Sequence, residues 1–276
     1  MSRFEFAKMQ GLGNDFVMLD CMSGQPVPSE QQIRAIADRK LGVGFDQLIC
    51  LQPGRPDTAV SMSIYNADGS AAEQCGNGVR CLALFAQRMG HVAAPEFGVF
   101  SSDRVIQVRV GDDGNVSANM GVPLFEPDAI PFQAEALRDW YDVDVGGEMV
   151  RLGAVSMGNP HAVVPVQSLL EAPVDRLGPK LESHIRFPQR ANVGFARFAS
   201  YNEVDLRVFE RGVGETRACG TGACAAVAVG QRQGLLANRA KVNLLGGSLD
   251  IEWKGGQTPV WMTGPATWVY EGKIEV

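Results

Sequence analysis

The sequence predicts an α/β protein of the α+β type, built from two tandem copies of one domain in which strands surround a buried helix. Three observations predict this fold: a pair of matching cysteine segments, further matches at nearly constant spacing, and many strand-like runs around few helical ones. The 276 residues are enough for two domains of ordinary size, each with its own core.

The two cysteine segments read as copies of each other. Residues 75–86 (CGNGVRCLALFA) and 219–229 (CGTGACAAVAV) each place a cysteine and two glycines before an apolar run of good helix formers. Each thiol is therefore expected at a helix N-terminus, where free backbone N–H groups and the helix dipole favour the thiolate. Because helices that are apolar on nearly all sides must be buried, we expect the strands of each domain to wrap its helix.

Other matches keep the same order along both halves of the chain. Cys75 and Cys219 are 144 positions apart, and Asn14 and Asn159 are 145 apart. The matching pairs are 9–17 with 157–163, 43–45 with 193–195, 64–69 with 208–212, 75–86 with 219–229, and 119–121 with 262–264. Five matches in one order indicate an internal duplication.

Strand-like runs dominate both halves, and several alternate apolar with polar residues as half-buried strands do. These runs are 16–19, 47–51, 60–65 and 105–110, followed by 162–166, 204–209, 241–245 and 248–253. The clusters 112–115 and 254–257 predict hairpins. Ser29 is expected to cap a helix over 30–39, and the segment 168–181 is interrupted by prolines.

The boundary between the halves is expected near 119–123. The segment 266–270 has no counterpart left in the second repeat, so it can return to complete the first sheet. We therefore expect one domain from 1–119 plus 265–276, carrying Cys75, and a second from 120–264, carrying Cys219.

The composition argues against several classes of partner. A hydrophobic fraction of 45% and a charged fraction of 20% are typical of a soluble globular protein. A net charge of −6 without a basic cluster gives no basis for nucleic-acid binding. Residues 1–8 lack the apolar core of a signal peptide, and no stretch reaches membrane-spanning length. We expect a cytoplasmic protein with reduced cysteines that binds neither nucleic acid nor membrane.

The remaining cysteines show no pattern of metal or redox sites. No C-x-x-C pair occurs, and the spacings within the two cysteine segments differ from those of structural zinc sites, so we predict no metal. Cys81 and Cys224 lie within the apolar runs and are expected to be buried. Cys21 and Cys50 carry no motif.

No cofactor motif competes with the thiols. The glycine pairs in 42–44 and 212–214 lack the third glycine and the strand-to-helix context of a dinucleotide fingerprint, and no Walker-type motif is present. A pyridoxal-phosphate lysine stays open from sequence, although no lysine has a distinctive setting. We predict an activity without a cofactor.

Two thiols related by the repeat suggest an acid/base pair. Helix N-termini would bind a substrate carboxylate, which becomes more negative as a proton leaves its α-carbon. One thiolate would abstract that proton, and the opposite thiol would deliver a proton to the other face.

Several polar residues near these segments suit a small zwitterion, because amides donate to carboxylates and accept from ammonium groups. They are Asn14, Asn66, Asn159, Asn192, the adjacent pair Glu210 and Arg211, and His161. An asparagine at a strand end is often only a turn residue, and an adjacent Glu-Arg pair is often only a surface ion pair. The matched positions in the repeat favour the functional interpretation.

Four groups of motifs resemble the diaminopimelate epimerase family, and the resemblance runs from Phe4 to the C-terminus. They are 8–16 (KMQGLGNDF), 66–70 (NADGS) with 74–78 (QCGNG), 157–161 (MGNPH), and 210–216 (ERGVGET) with 218–222 (ACGTG). The resemblance implies a cofactor-independent enzyme that interconverts LL- and meso-diaminopimelate for lysine and peptidoglycan precursors. It also implies a homodimer of chains with two pseudo-symmetric domains, each a curled mixed sheet around a central helix, and a site in the cleft between the domains.

The resemblance further implies roles for single residues. Cys75 and Cys219 would transfer protons, His161 and Glu210 would tune the cysteine pKa values, and Tyr270 matches a residue associated with the dimer interface. The residues expected to contact substrate are the side chains of Asn14, Gln47, Asn66, Asn159, Asn192, Glu210 and Arg211, and the backbone at Gly76, Asn77, Gly220 and Thr221.

Two alternatives remain at this point. The first is another two-cysteine racemase, acting on proline or hydroxyproline, although Glu210, Arg211 and the asparagines favour a substrate with a second charged end. The second is a redox protein without enzymatic activity, in which Cys75 and Cys219 form a disulfide.

Overall fold

The computed structural model describes residues 2–72 and 75–276. The chain forms two compact units, which we call unit 1 (Met1–Ala118 with Thr263–Val276) and unit 2 (Asn119–Met262). No helix in the described ranges is long and apolar enough to cross a membrane.

The elements alternate strands with few helices in both halves of the chain. The first half contains β1 (Arg3–Gly11), β2 (Asn14–Asp20), α1 (Glu30–Ala37), β3 (Gln47–Pro53), β4 (Val60–Asn66), α2 (Gly76–Arg88), β5 (Glu96–Ser101), β6 (Arg104–Val110) and β7 (Asn115–Gly121). The second contains β8 (Tyr141–Asp144), β9 (Met149–Ser156), β10 (Pro160–Pro165), α3 (Val174–Glu182), β11 (Asn192–Ser200), β12 (Glu203–Glu210), β13 (Gly214–Thr216), α4 (Gly220–Arg232), β14 (Arg239–Leu244), β15 (Gly247–Glu252), β16 (Val260–Pro265) and β17 (Thr267–Glu275). The predicted strands all lie within or across these elements.

Unit 1 is a mixed sheet whose neighbours follow the order β17, β1, β2, β3, β4, β5, β6, β7. Among the described strands of this unit, the parallel pairs are β2–β3 and β4–β5, and each is connected through a helix, α1 and α2 respectively. β17 runs antiparallel to β1, so the last segment returns to this sheet.

Unit 2 repeats the same pattern in the order β8, β9, β10, β11, β12, β14, β15. Its parallel pairs are β10–β11 and β12–β14, connected through α3 and α4. The short β13 adds to the end of β12 at Glu210. The predicted duplication and the mixed α+β class are therefore confirmed, but one predicted match is wrong: 43–45 lie before β3, whereas 193–195 lie within its counterpart β11.

The cysteine helices are the central helices of the two units. Residues 77–86 of α2 are buried, and α2 packs against β1, β2, β3, β4 and β6. Residues 222–230 of α4 are buried, and α4 packs against β9, β10, β11, β12, β14 and β15. The prediction of a sheet curled around a buried helix is confirmed in each unit.

The other two helices cover the sheets. Ile33 and Ile36 of α1 belong to one buried apolar cluster with residues of β2 and β3, and Leu177 and Leu181 of α3 belong to another with residues of β10 and β11. The helix expected over 30–39 begins with a capping box at Ser29 but ends at Ala37. It ends there because Asp38 is extended and its carboxylate accepts the backbone N–H groups of Lys40 and Leu41.

Candidate active site

Cys75 lies at the N-cap position of α2, as its Cys-Gly-x-Gly sequence predicts. Its Sγ accepts a hydrogen bond from the backbone N–H of Gly78 at 3.3 Å. Position 78 is closely packed: an added Cβ would lie 2.7 Å from Cδ1 of Ile49 and 3.4 Å from Sγ of Cys75, so the isoleucine side chain would have to shift. The sulfur is therefore held in the first turn of the helix, where the dipole is positive.

Three amide side chains lie at one end of adjacent strands in the unit 1 sheet, on the side of Cys75. Asn14 begins β2, Gln47 begins the parallel strand β3, and Asn66 ends the antiparallel strand β4, so all three lie at the same end of these strands. Cys75 donates its S–H to Oδ1 of Asn14 at 3.5 Å, and Nε2 of Gln47 donates to Oδ1 of Asn66 at 3.3 Å. Nδ2 of Asn66 in turn donates to Oγ of Ser70 at 3.0 Å.

Cys219 occupies the N-cap position of α4, and it is only 5% exposed. A Cβ added to Gly222 would lie 3.3 Å from both Cβ and Sγ of Cys219, which repeats the close approach seen at Gly78. The hydroxyl of Thr221 lies 3.6 Å from the sulfur. The two cysteines therefore occupy the same position on their helices, in different surroundings.

The carboxyl group of Glu210, at the end of β12, is within hydrogen-bonding reach of Cys219. Burial raises the pKa of Glu210, although hydrogen bonds from Thr216 and Cys219 oppose the shift. Burial, together with the negative charge of Glu210, raises the pKa of Cys219 well above its ordinary value. Cys219 is therefore a protonated thiol at neutral pH.

His161 and Asn192 pair across the parallel strands β10 and β11. Burial, with a smaller effect from the charge of Arg211, lowers the pKa of His161 to about 3, so the imidazole is neutral at pH 7. Its Nε2 lies 2.9 Å from Oδ1 of Asn159. Because an amide oxygen only accepts, Nε2 must carry the proton. The amide nitrogen of Asn159 therefore points away from the imidazole.

Asn192 connects two chain segments of unit 2. Its Nδ2 donates to the carbonyl of Pro160 at 3.2 Å, and its Oδ1 accepts the backbone N–H of Arg211 at 3.0 Å. The side chain of Arg211 donates to the carbonyl of Gln189 at 3.1 Å. The adjacent Gly212 donates its N–H to the buried carboxylate of Glu182 at 2.7 Å.

The structure thus brings together the sequence-predicted site residues of each unit around its own cysteine helix. In unit 1 these are Asn14, Gln47, Asn66, Cys75, Gly76 and Asn77, and in unit 2 they are Asn159, His161, Asn192, Glu210, Arg211, Cys219, Gly220 and Thr221. Tyr270 does not belong to either group: it lies on β17 opposite Lys8, packs edge-to-face on Phe6, and is 45% exposed. Glu73 and Gln74, which precede Cys75 in the motif, lie outside the described residues.

Sequence reasoning missed the charged groups that support these side chains. Asp46 accepts from Asn14, and Arg39 joins Asp46 to Asp15. Asp15 stands inside one of the family-like motifs, but Arg39 and Asp46 carry no signal of periodicity or motif. Among the described residues, no group of three or more His, Cys, Asp or Glu side chains could hold a metal ion, and all six cysteines are free.

Solved structures show the class of fold. A phenazine biosynthesis protein of the PhzF family from Bacillus anthracis is 14% identical and aligns with a TM-score of 0.68 over 100% of both chains. A hydroxyproline epimerase from Agrobacterium vitis is 16% identical, with a TM-score of 0.69 over 99% of this chain and 92% of that one. The chain therefore has the fold that these proteins share, with two repeated units.

The sequence comparisons define the family within this fold. The family model for diaminopimelate epimerase matches residues 6–125 and 153–269, one match in each half of the chain. A diaminopimelate epimerase from Alkalilimnicola ehrlichii is 51% identical over 99% of both chains. This chain belongs to the diaminopimelate epimerase family and is an isomerase.

Proposed function

We propose that this chain interconverts LL- and meso-2,6-diaminopimelate without a cofactor, and that Cys75 and Cys219 transfer the α-proton. The observation that carries the proposal is the pair of thiols at the N-caps of α2 and α4, each with a glycine three residues later that lets backbone approach the sulfur. A thiol in this position is suited to reversible proton transfer.

The surroundings of the two thiols suit them to different roles in one direction of the cycle. Cys219 is buried beside the Glu210 carboxyl group and rests as a thiol, so it enters one direction of the cycle as the proton donor. Cys75 is half-buried and has a neutral amide, Asn14, as its side-chain partner. In this direction Cys75 first loses its own proton to solvent and its thiolate takes the α-proton, while Cys219 gives its proton to the opposite face of the carbon. Cys219, now a thiolate, takes a proton back from solvent, and the negative charge of Glu210 beside it favours this protonated form.

The backbone of both helices supplies the electrostatic part of the mechanism. The N–H groups of the first turn, at Gly76 and Asn77 in α2 and at Gly220 and Thr221 in α4, would face the substrate carboxylate. That carboxylate gains negative charge as the α-proton leaves, so these groups stabilise the transition state more than the ground state. The amides of Asn14, Gln47 and Asn66, together with Asn159, Asn192 and Arg211, would hold the remaining polar groups of a doubly zwitterionic substrate.

The test is proton NMR of LL-diaminopimelate in D₂O, with protein dialysed against a chelator and free of pyridoxal phosphate. We expect loss of the α-proton signal together with appearance of the meso isomer, and neither in Cys75→Ala or Cys219→Ala. Exchange of the α-proton of proline or hydroxyproline, but not of diaminopimelate, would show that the substrate is wrong. Full epimerisation by either alanine variant would show that the two-thiol mechanism is wrong.

We also propose a cytoplasmic homodimer, in which Tyr270 and β17 take part in the interface. Val269 and Tyr270 are 53% and 45% exposed in the single chain, which supports an interface along this strand. Light scattering after gel filtration should give the dimer mass for the wild type and a smaller mass for Tyr270→Ala. Tyr201→Ala, which truncates a more exposed tyrosine of unit 2, should remain dimeric.

A further inference from the structure

The amide of Asn14 is held in one orientation by a carboxylate outside the predicted site. Oδ2 of Asp46 accepts from Nδ2 of Asn14 at 2.9 Å and from the backbone N–H of Asp15 at 3.2 Å. A carboxylate can only accept, so it selects the nitrogen end of the amide. The oxygen end of Asn14 is thereby left towards Cys75, whose Sγ lies 3.5 Å away.

Asp46 is itself fixed by a network of charges. Nη2 of Arg39 donates to Oδ1 of Asp46 at 2.8 Å, and the same guanidinium binds both oxygens of Asp15, at 2.8 and 3.1 Å. Lys8 closes the network through Asp15 at 2.6 Å and through the carbonyl of Gly44. Burial opposes ionisation of Asp15, but hydrogen bonds from Arg39 and Lys8 lower its pKa to about 2. Asp15 therefore stays charged at neutral pH and keeps Arg39 in place.

In unit 2 a different group orients the matching asparagine. Asp46 immediately precedes β3, and Ala191 immediately precedes the matching strand β11. An alanine side chain cannot accept a hydrogen bond. There the counterpart of Asn14 is Asn159, and His161 binds its oxygen end instead. The two asparagines are therefore held by opposite ends of their amides. Asp46 binds the nitrogen of Asn14 and leaves its oxygen, whereas His161 binds the oxygen of Asn159 and leaves its nitrogen.

We propose that Asp46 is a positioning residue, which orients the Asn14 amide so that its oxygen accepts the S–H of Cys75 and holds that cysteine in the thiol form between turnovers. The inference rests on the proposed role of Cys75 in proton transfer. An acceptor facing the sulfur stabilises the protonated form, whereas an amide N–H facing it would stabilise the thiolate. Loss of Asp46 frees the amide to rotate, and both the lost acceptor and the rotated donor favour the thiolate.

The test combines turnover with the alkylation rate of Cys75, measured by peptide mass spectrometry with iodoacetamide at pH 7. For Asp46→Ala we expect kcat to fall about 10- to 100-fold, as displacement of a reacting group does, and Cys75 alkylation to become at least about 3-fold faster at fixed pH. Alkylation of Cys219 in the same sample should be unchanged. Asp46→Asn keeps an oxygen for Nδ2 of Asn14, so both quantities should return to within about 3-fold of wild type.

Glu96→Ala is the matched control for losing a surface carboxylate. Glu96 pairs with Arg109 at 2.9 Å, and its side chain is 52% exposed against 45% for Asp46. If Asp46→Ala has the same kcat and the same Cys75 alkylation rate as Glu96→Ala, the proposal is wrong. It is also wrong if Asp46→Ala and Asp46→Asn have equal effects. If Cys75→Ala retains full epimerisation, the proposed function fails, and the alkylation rates alone still decide whether Asp46 orients Asn14.

Discussion

Substitution of Cys75 by serine and by alanine separates helix capping from proton transfer. Sγ of Cys75 accepts the N–H of Gly78 at 3.3 Å and so caps α2. Serine is one of the favoured N-cap residues, and its loss to alanine typically costs about 1 kcal/mol. Cys75→Ala should therefore unfold about 1 kcal/mol more easily than Cys75→Ser, which corresponds to about 2–4 °C for a chain of this size. Both variants should lose about 10²- to 10⁴-fold in kcat, because neither side chain provides a thiolate.

Two measurements on the same reduced protein test this separation. Urea unfolding gives the stability of each variant, and α-proton exchange in D₂O gives the turnover. Cys81→Ala is the control, because Cys81 is fully buried in the same helix. It should lose stability by about 1 kcal/mol through lost packing while keeping nearly wild-type turnover.

Helix capping and proton transfer by Cys75 can be refuted separately. Equal unfolding free energies for the serine and alanine variants would show that the sulfur does not cap the helix. Turnover within tenfold of wild type in either variant would show that Cys75 does not transfer the proton. Loss of turnover in Cys81→Ala would show that loss of packing in α2 is enough to inactivate the protein.

Three other changes probe the surroundings of the thiols. Glu210→Gln removes the negative charge that helps to raise the pKa of Cys219, so iodoacetamide should alkylate Cys219 faster at pH 8, and an unchanged rate would contradict the pairing. Burial lowers the pKa of His161 from 6.5 to about 3, so below pH 6.5 the unfolded chain binds a proton that the folded chain does not. Stability should therefore fall by about 2 kcal/mol between pH 7.5 and pH 5 through this group, and urea unfolding of His161→Gln should lack that loss. Gly78→Ala places a Cβ 2.7 Å from Cδ1 of Ile49 and should cost about 1–3 kcal/mol; a second change, Ile49→Val, should recover part of that stability, and no recovery would locate the clash elsewhere.

Local sequence was sufficient to predict the cysteine helices, because glycines after a cysteine and a long apolar run specify a buried helix with the thiol at its start. It was not sufficient to predict the inside of α2. Arg80 lies in a helix expected to be apolar nearly all round, yet it is fully buried, with hydrogen bonds to Asn77 and to the carbonyls of Gly76 and Pro265. Those partners include one 185 residues away, and no pattern within the helix identifies it.

The same limit applies to the candidate site. Residues that begin or end strands, such as Asn14 and Asn66, were recognisable from turn chemistry and from the repeat. The contact between Asp46 and Asn14 joins residues 32 positions apart, and it depends on the register of β2 against β3. Parallel register is not encoded in composition or in alternation of residue types, so supporting charges of this kind appear only in the structure.

The pairing of β17 with β1 has a consequence for how the chain is made. β1 lies between β2 and β17, and β17 follows the whole of unit 2 in the sequence. During synthesis β1 therefore stays unpaired along one side until β17, which ends at Glu275, has been made. Unit 2 is continuous from Asn119 to Met262 and can fold before that point. An unpaired strand is a template for association with other chains, so the nascent protein is most vulnerable to aggregation in this interval.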